Sequence, residues 1–270
     1  MFSDIAQYFR TETLPHIWCP GCGIGTIMAA IVRAIKTLQL DQNKVIFVSG
    51  IGCSSRMPGY LDFNTLHTTH GRALSFATGI KAARPELDVF VIMGDGDSAG
   101  IGGNHLIHAA RRNIDLTAIV INNSIYGMTG GQTSPLTPHG KRGTTSPYGN
   151  PERPFEILEL VKAAGATYGA RATAYHNQLL TKLVIDAYSN LGFSLVEVIS
   201  QCPVSYGRRN KFDTPADMLF WQKEHAFKAG QLAVHEEDFQ IGEIFKSQAP
   251  EYTREYEKLR QRLREGILNG

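Results

Sequence analysis

Four cysteines and one acidic turn are the residues of this chain whose types and spacing invite chemistry. Cys19 and Cys22 stand in Trp-Cys-Pro-Gly-Cys-Gly, Cys53 in Gly-Ile-Gly-Cys-Ser-Ser and Cys202 in Ser-Gln-Cys-Pro. Each lies beside Gly, Pro or Ser at a loop-like position, and none sits inside an apolar run. Successive thiolates are separated by 2, 30 and 148 residues, so no local knuckle can use all four. If they share one site, three loops must converge at one end of a domain. Four thiolates suit a [4Fe–4S] cluster or a tetrahedral zinc ion, and the cysteines alone leave both open. Two disulfides or unconnected buried thiols are the other uses of four cysteines.

The second set is Gly94-Asp95-Gly96-Asp97 together with Asn122-Asn123. Each directly follows an apolar β-branched run, and 28 positions separate Asp95 from Asn123, about one helix plus one strand. Both therefore belong at the carboxyl ends of neighbouring parallel strands, where open α/β sheets build their sites. Asp95, Asn123 and a backbone carbonyl just beyond could hold Mg2+ against a diphosphate, because that ion takes near-octahedral oxygen ligands and few protein groups. The glycines would let backbone N–H groups approach the phosphates. A lone Gly-Asp-Gly is only a turn; the Asn-Asn after the next strand is what turns it into a candidate site.

The elements that must position these residues alternate from residue 24 to about residue 200. Ile27, Ile31, Ile35 and Leu38 mark a helical face, and residues 44–49 read as a buried strand. A helix over 71–84, a strand over 87–93, a helix over 99–112 and a strand over 116–121 follow. Residues 122–154 change to Gly, Pro, Ser, Thr and Asn, a loop long enough to be functional. Then come a helix over 155–164, strands over 166–171 and 193–200, and a helix over 177–190. Crossovers of this length imply a mostly parallel, doubly wound α/β sheet with helices on both faces. Residues 1–205 form the expected binding domain. Residues 206–270 form a C-terminal extension without the alternation, in which Tyr252, Tyr256, Leu259, Leu263 and Ile267 trace a helical stripe suited to docking on the domain or on a second chain.

Composition sets outer limits. An apolar content of 43 % is ample for a buried core, and a net charge of +2 with interspersed signs gives no nucleic-acid surface. No stretch reaches the roughly 18 apolar residues of a membrane span, and the first residues lack a basic segment leading into an apolar one. The expectation is a cytoplasmic protein with reduced thiols and no nucleic-acid or membrane partner.

With these motifs assembled, the chain resembles the β subunits of the 2-oxoacid:ferredoxin oxidoreductases. Gly94-Asp95-Gly96 with Asn122-Asn123 is similar to the thiamine diphosphate motif, and Asn122-Asn-Ser-Ile-Tyr-Gly-Met-Thr-Gly-Gly-Gln132 to its extended form in that family. Trp18-Cys-Pro-Gly-Cys-Gly23, Gly50-Ile-Gly-Cys-Ser-Ser55, His70-Gly-Arg72 and Cys202-Pro203 resemble it as well, collinearly over about residues 10–225. The resemblance implies the thiamine diphosphate-binding fold, with Asp95, Asn123 and the Ile125 carbonyl ligating Mg2+. Gly94, Gly96, Asp97, Gly127, Met128 and Thr129 would cradle the diphosphate, and Cys19, Cys22, Cys53 and Cys202 would bind one [4Fe–4S] cluster. That favours iron–sulfur over zinc, since a redox centre has a use beside thiamine.

The implied activity is reversible oxidative decarboxylation of a 2-oxoacid, with coenzyme A taking the acyl group and ferredoxin the electrons. Ile-Gly-Gly-Asn-His after the Mg2+ motif resembles the 2-oxoglutarate-type subunits; pyruvate or a branched-chain oxoacid is the alternative substrate. A non-catalytic electron-transfer subunit and a non-redox thiamine decarboxylase with structural zinc are the rival functions. There is room for one thiamine half-site only, so an α subunit, alone or fused with a γ subunit, is expected to supply the activating Glu and the coenzyme A site in a heterodimer or dimer of heterodimers. Two further residues carry catalytic expectations. Arg56, three residues after Cys53, suits the second carboxylate of a dicarboxylic oxoacid. By the resemblance, His70 would contact cofactor or substrate, with capping or packing as its other reading. The pairs His67/His70 and His105/His108 have helical spacing without a carboxylate at metal-motif distance, and His105 and His108 are expected to face neighbouring helices.

Overall fold

A computed structural model describes residues 4–268, with side chains to residue 266. One eight-stranded sheet organises it, in the order β2-β1-β3-β4-β6-β5-β8-β7. The first six strands are β1 (Val45–Ser49), β2 (Asn64–His67), β3 (Asp88–Gly94), β4 (Leu116–Asn122), β5 (Tyr168–Thr173) and β6 (Phe193–Ile199), all parallel. Helices α1 (Ile24–Leu38) and α6 (Asn177–Ser189) cover one face; α2 (Ala73–Ala83), α4 (Gly103–Arg112) and α5 (Ile157–Ala164) cover the other. The strands are apolar on both sides because both faces are covered: Phe90 and Ile92 join the core under α1 and α6, while Val89, Val91 and Met93 join the core under α2 and α4.

Three features depart from the expected elements. The helix expected over 99–112 begins at Gly103, and a separate turn of helix, α3 (Asp95–Ser98), precedes it, divided from it by Ala99-Gly-Ile-Gly102. Strand β2 has no sequence signal, since it is a largely exposed edge strand of polar Asn64, Thr65 and His67. The C-terminal extension adds helix α7 (Pro215–His225) and two strands, β7 (Ala226–Lys228) and β8 (Phe239–Lys246). Strand β8 pairs antiparallel with β5 and so continues the domain's own sheet.

Helix α8 (Tyr252–Leu268) is held at its start. The Glu251 carboxylate is buried and accepts from the backbone N–H groups of Asp115, Thr253 and Arg254. Beyond that anchor the predicted apolar stripe is not docked: Tyr252, Tyr256, Leu259 and Leu263 are all 36 % exposed or more. The side chain of Ile267 lies outside the described residues. Among the described residues no helix is long and apolar enough to cross a membrane.

Candidate active site

Strands β3 and β4 pair in register with Gly94 opposite Ile121, which delivers Asp95 and Asn123 to the same crevice. The Asp95 carboxylate is buried; Oδ2 accepts from the Ser134 hydroxyl at 2.6 Å and Oδ1 from the Asn123 N–H at 3.1 Å. Burial pushes its pKa up to about 7 against those hydrogen bonds. The Asn123 side-chain amide lies between Asp95 Oδ1 at 3.2 Å and the Ile125 carbonyl at 2.8 Å, and its nitrogen donates to both. With the amide turned over, its oxygen would join the other two in a set of the kind a hard cation takes. Asn122 points elsewhere, donating to buried Glu197, which in turn binds Arg171 at 2.6 Å.

These residues line a cavity of about 180 Å³, which also takes in Gly94, Gly96, Asp97, Gly127, Met128, Thr129, His70 and Cys53. Gly96 is required sterically: a Cβ there would fall 2.1 Å from the Tyr126 ring. The Asp97 side chain is engaged within the chain. Fully buried, it accepts from Ile51 N–H at 3.0 Å, Gly71 N–H at 2.8 Å, the Ser55 hydroxyl at 2.8 Å and His70 Nδ1 at 2.6 Å. It ties the loop after β1 to the loop before α2, and only its backbone is free to meet a phosphate. Ser134 lay outside every motif, and Tyr126 and Ser55 lay inside motifs without a role of their own; their roles follow from the long loop after β4 and the turn after Cys53 folding over the strand ends.

The cysteine loops converge. Trp18 Nε1 donates to the Cys53 carbonyl at 2.7 Å, Gln201 Nε2 to the Gly21 carbonyl at 3.1 Å, and the Gly23 N–H to the Gln201 carbonyl at 3.3 Å. A Cβ on Gly127 would lie 3.5 Å from Cys202 Sγ and 3.6 Å from Cys53 Sγ, so both sulfurs sit against one point on the cavity wall. Burial pushes the Cys22 thiol up to about 12 and the Cys53 thiol to about 11, and raises Cys202 too; the negative charge of the other cysteines adds to the rise. Cys19 is the exposed one. Among the described residues no three His, Cys, Asp or Glu side chains close around a point as they would around a single ion.

Arg56 is exposed, in the 3-10 helix Ser54–Tyr60 that follows Cys53, and is not among the cavity-lining residues. His67 meets Ser49 at 3.0 Å, His105 meets Ser75 on α2 at 2.8 Å and His108 meets Arg111 at 3.4 Å, so neither histidine pair gathers around a metal.

Residues 50–198 match the family model described as thiamine pyrophosphate enzyme, C-terminal TPP binding domain, a stretch that holds Cys53, Asp95 and Asn123. Over 267 residues the chain is 52 % identical to the 2-oxoglutarate synthase subunit KorB of Archaeoglobus fulgidus, covering 98 % of each chain. The chain belongs to the β-subunit family of the 2-oxoacid:ferredoxin oxidoreductases. The KorB subunit of Methanocaldococcus jannaschii is 50 % identical over 263 residues, 96 % of this chain and 97 % of the relative. Among solved structures, the 2-oxoglutarate:ferredoxin oxidoreductase from Magnetococcus marinus with 2-oxoglutarate, coenzyme A and succinyl-CoA bound superposes with a TM-score of 0.86. It is 36 % identical, with coverage of 96 % of this chain and 90 % of that one. The domain around Asp95 is thus a thiamine diphosphate-binding domain, and this family member is one subunit of an oxidoreductase assembly.

Proposed function

We propose that this β subunit, joined to an α subunit, converts 2-oxoglutarate and coenzyme A reversibly to succinyl-CoA and CO2, using thiamine diphosphate with Mg2+ and passing electrons through one [4Fe–4S] cluster to ferredoxin. The observation that carries the reading is the shared cavity: Asp95, Asn123, Gly127 and Cys53 line the same space, and a Cβ on Gly127 would lie 3.5 Å from Cys202 Sγ and 3.6 Å from Cys53 Sγ. The substrate follows from likeness to relatives named for 2-oxoglutarate.

The residues fit the groups assigned to them. Asp95 and the Ile125 carbonyl stand on either side of the Asn123 amide, which by turning over would offer its oxygen beside theirs to Mg2+. Cys19, Cys22, Cys53 and Cys202 offer four thiols on three loops tied together by the Trp18, Gln201 and Gly23 hydrogen bonds. A four-iron cluster takes one thiolate per iron, so its cysteines stand further apart than the ligands of one zinc ion. The thiols that burial keeps protonated must lose their protons as the cluster is bound.

When bound, thiamine diphosphate supplies a nucleophilic carbon and an electron sink, and the cluster a one-electron acceptor. The chain's own work is positional. Asp95 and Asn123 would hold the cation, Gly127, Met128 and Thr129 line the same cavity and would offer backbone N–H groups to the phosphates, and Asp97 holds the His70 imidazole at the cavity wall. A cavity of about 180 Å³ is small beside the roughly 300–1,000 Å³ of ordinary cofactor sites. Ile51 and Met128 at its wall are 43 % and 47 % exposed, an apolar mouth suited to a second chain that completes the site with the activating Glu and the coenzyme A contacts.

The test is anaerobic reconstitution of both subunits. The expected result is 2-oxoglutarate-dependent, coenzyme A-dependent ferredoxin reduction, with four irons and one thiamine diphosphate per β subunit. Two zinc-free, iron-free preparations that still decarboxylate at full rate would remove the redox reading.

A further inference from the structure

On the reading that the four cysteines hold one cluster, part of what holds it comes from the C-terminal extension. Cys19-Pro-Gly-Cys22 closes as a turn: the Cys22 N–H donates to the Cys19 carbonyl at 3.0 Å, and Gly21 has φ +78°, the conformation such a turn wants directly after its Pro. That turn sets how two of the four thiols stand. Its Gly21 carbonyl accepts from Gln201 Nε2 at 3.1 Å, and Gln201 is held in its turn from α7, where Gln222 Nε2 donates to Gln201 Oε1 at 3.1 Å. Gln222 Oε1 accepts from the Tyr175 N–H at 3.1 Å. Gln201 and Gln222 are buried, with 4 % and 2 % exposure. The relay has one possible sense, because it starts on a backbone N–H that can only donate and ends on a carbonyl that can only accept; turning either amide over would set like groups face to face at both its ends. The same helix presses on the turn directly. A capping box between Thr214 and Asp217 fixes the start of α7 with Pro215 at its first position, and the Pro215 ring lies so close to Gly21 that a Cβ there would overlap it.

We infer that Gln222 is a positioning residue for the cluster: acting through Gln201, it holds the Cys19–Cys22 turn in the geometry the metal needs, so that α7 carries part of the site without supplying a ligand. Two glutamine amides taken out of water are costly unless their bonds are made, and the side-chain bonds of this pair run from Tyr175 to the ligand turn and nowhere else. Groups that orient a metal's ligands in this way govern how tightly the metal is kept. Gln201 also precedes Cys202 and accepts from the Gly23 N–H through its carbonyl at 3.3 Å, so one residue ties the first pair of cysteines to the last.

The test uses the assembled, cluster-loaded holoenzyme with Gln222→Met and Gln201→Met, which keep the length of the side chain and lose its amide, the double variant, and Glu224→Ala at an exposed position of α7 as the control. The readouts are anaerobic release of iron to a ferrous chelator, the electron paramagnetic resonance spectrum of the dithionite-reduced cluster, and affinity for thiamine diphosphate with Mg2+ by calorimetry. Each single variant is expected to release iron about tenfold faster than wild type, with an altered spectrum and an unchanged thiamine diphosphate affinity, while Glu224→Ala changes nothing. Because the two glutamines act in series, the double variant should be about as fast as Gln201→Met alone, where independent sites would multiply to about a hundredfold. Iron release at the wild-type rate in Gln222→Met, or a double variant at the product of the two singles, overturns the relay. So does thiamine diphosphate affinity lost in step with the iron, which marks a domain loosened as a whole. Wild-type holoenzyme that reconstitutes without an iron–sulfur cluster overturns instead the functional reading, and the positioning role falls with it.

Discussion

At the scale of single residues the cofactor crevice separates groups that act by charge from groups that act by holding the backbone. Asp95→Asn keeps the size and the Ser134 contact but removes the charge that faces Asn123 and the Ile125 carbonyl. Titration of the variant with thiamine diphosphate and Mg2+ should show affinity lower by about 100-fold or more, the weight of an ionic ligand in a buried site, with thermal unfolding nearly unchanged. Asp97→Ala has the opposite profile. It strands the donors on Ile51, Gly71, Ser55 and His70, of which Gly71 and Ser55 are buried, and at about 1 kcal/mol or more for each buried orphan the loss should reach about 2 kcal/mol or more in denaturant unfolding. Arg56→Ala, at an exposed residue, should leave stability alone and shift the 2-oxoglutarate to pyruvate preference of the assembled enzyme toward pyruvate by about tenfold or more, as loss of a charged hydrogen bond does; an unchanged ratio removes Arg56 from substrate recognition. Sequence made Asp95 and Asn123 legible because a strand end followed by an acid or amide has one place to go. It left Asp97 looking like a phosphate ligand, since nothing in Gly-Asp-Gly-Asp tells which carboxylate turns inward onto loops some 27 and 46 positions away.

At the scale of elements, the parallel strands other than the exposed edge strand β2 could be read because they are short runs buried on both faces, and their carboxyl ends then fixed the site. Strand β8 hid for a physical reason. Its alternation, Phe239 and Ile241, is broken at Gly242, and its pairing with β5 shifts register at a bulge between Gly169 and Ala170, so neither period persists. The start of helix α8 depends on one buried acid. Burial opposes ionisation of Glu251, but hydrogen bonds from Thr253, Arg254 and Asp115 outweigh it and hold its pKa below the usual carboxylate value. A carboxylate depressed in the folded state adds stability that is present above its unfolded pKa and is lost as pH falls through the folded one. Glu251→Gln should therefore loosen α8 at neutral pH by about 1 kcal/mol, read as faster hydrogen exchange over residues 252–266, and the gap from wild type should close on acidification below pH about 4. A gap that widens in acid would show that the anchor does not act as a carboxylate.

At the scale of the whole molecule the sheet sets two kinds of centre back to back. The oxygens of Asp95 and Asn123 lie at the ends of β3 and β4, and the sulfurs of Cys53 and Cys202 follow β1 and β6, strands that flank that pair in the sheet order. Residues 149 positions apart meet there because a parallel sheet gathers all its carboxyl ends on one edge, which is why cysteine spacing alone announced convergence without saying which ligand it served. The same edge leaves the cofactor cavity open, small and rimmed by exposed Ile51 and Met128. On the proposed reading half of a thiamine site would bind without turning over: the cation and phosphates would find partners in this chain, while among the described residues no carboxylate other than Asp95 and Asp97 lines the cavity to activate the ring. The isolated β subunit should thus take up thiamine diphosphate with Mg2+, seen by calorimetry, yet show no 2-oxoglutarate-dependent viologen reduction until the α subunit is added. Full activity from the β subunit alone would mean that the missing carboxylate is in this chain after all, and that the open mouth is not a subunit contact.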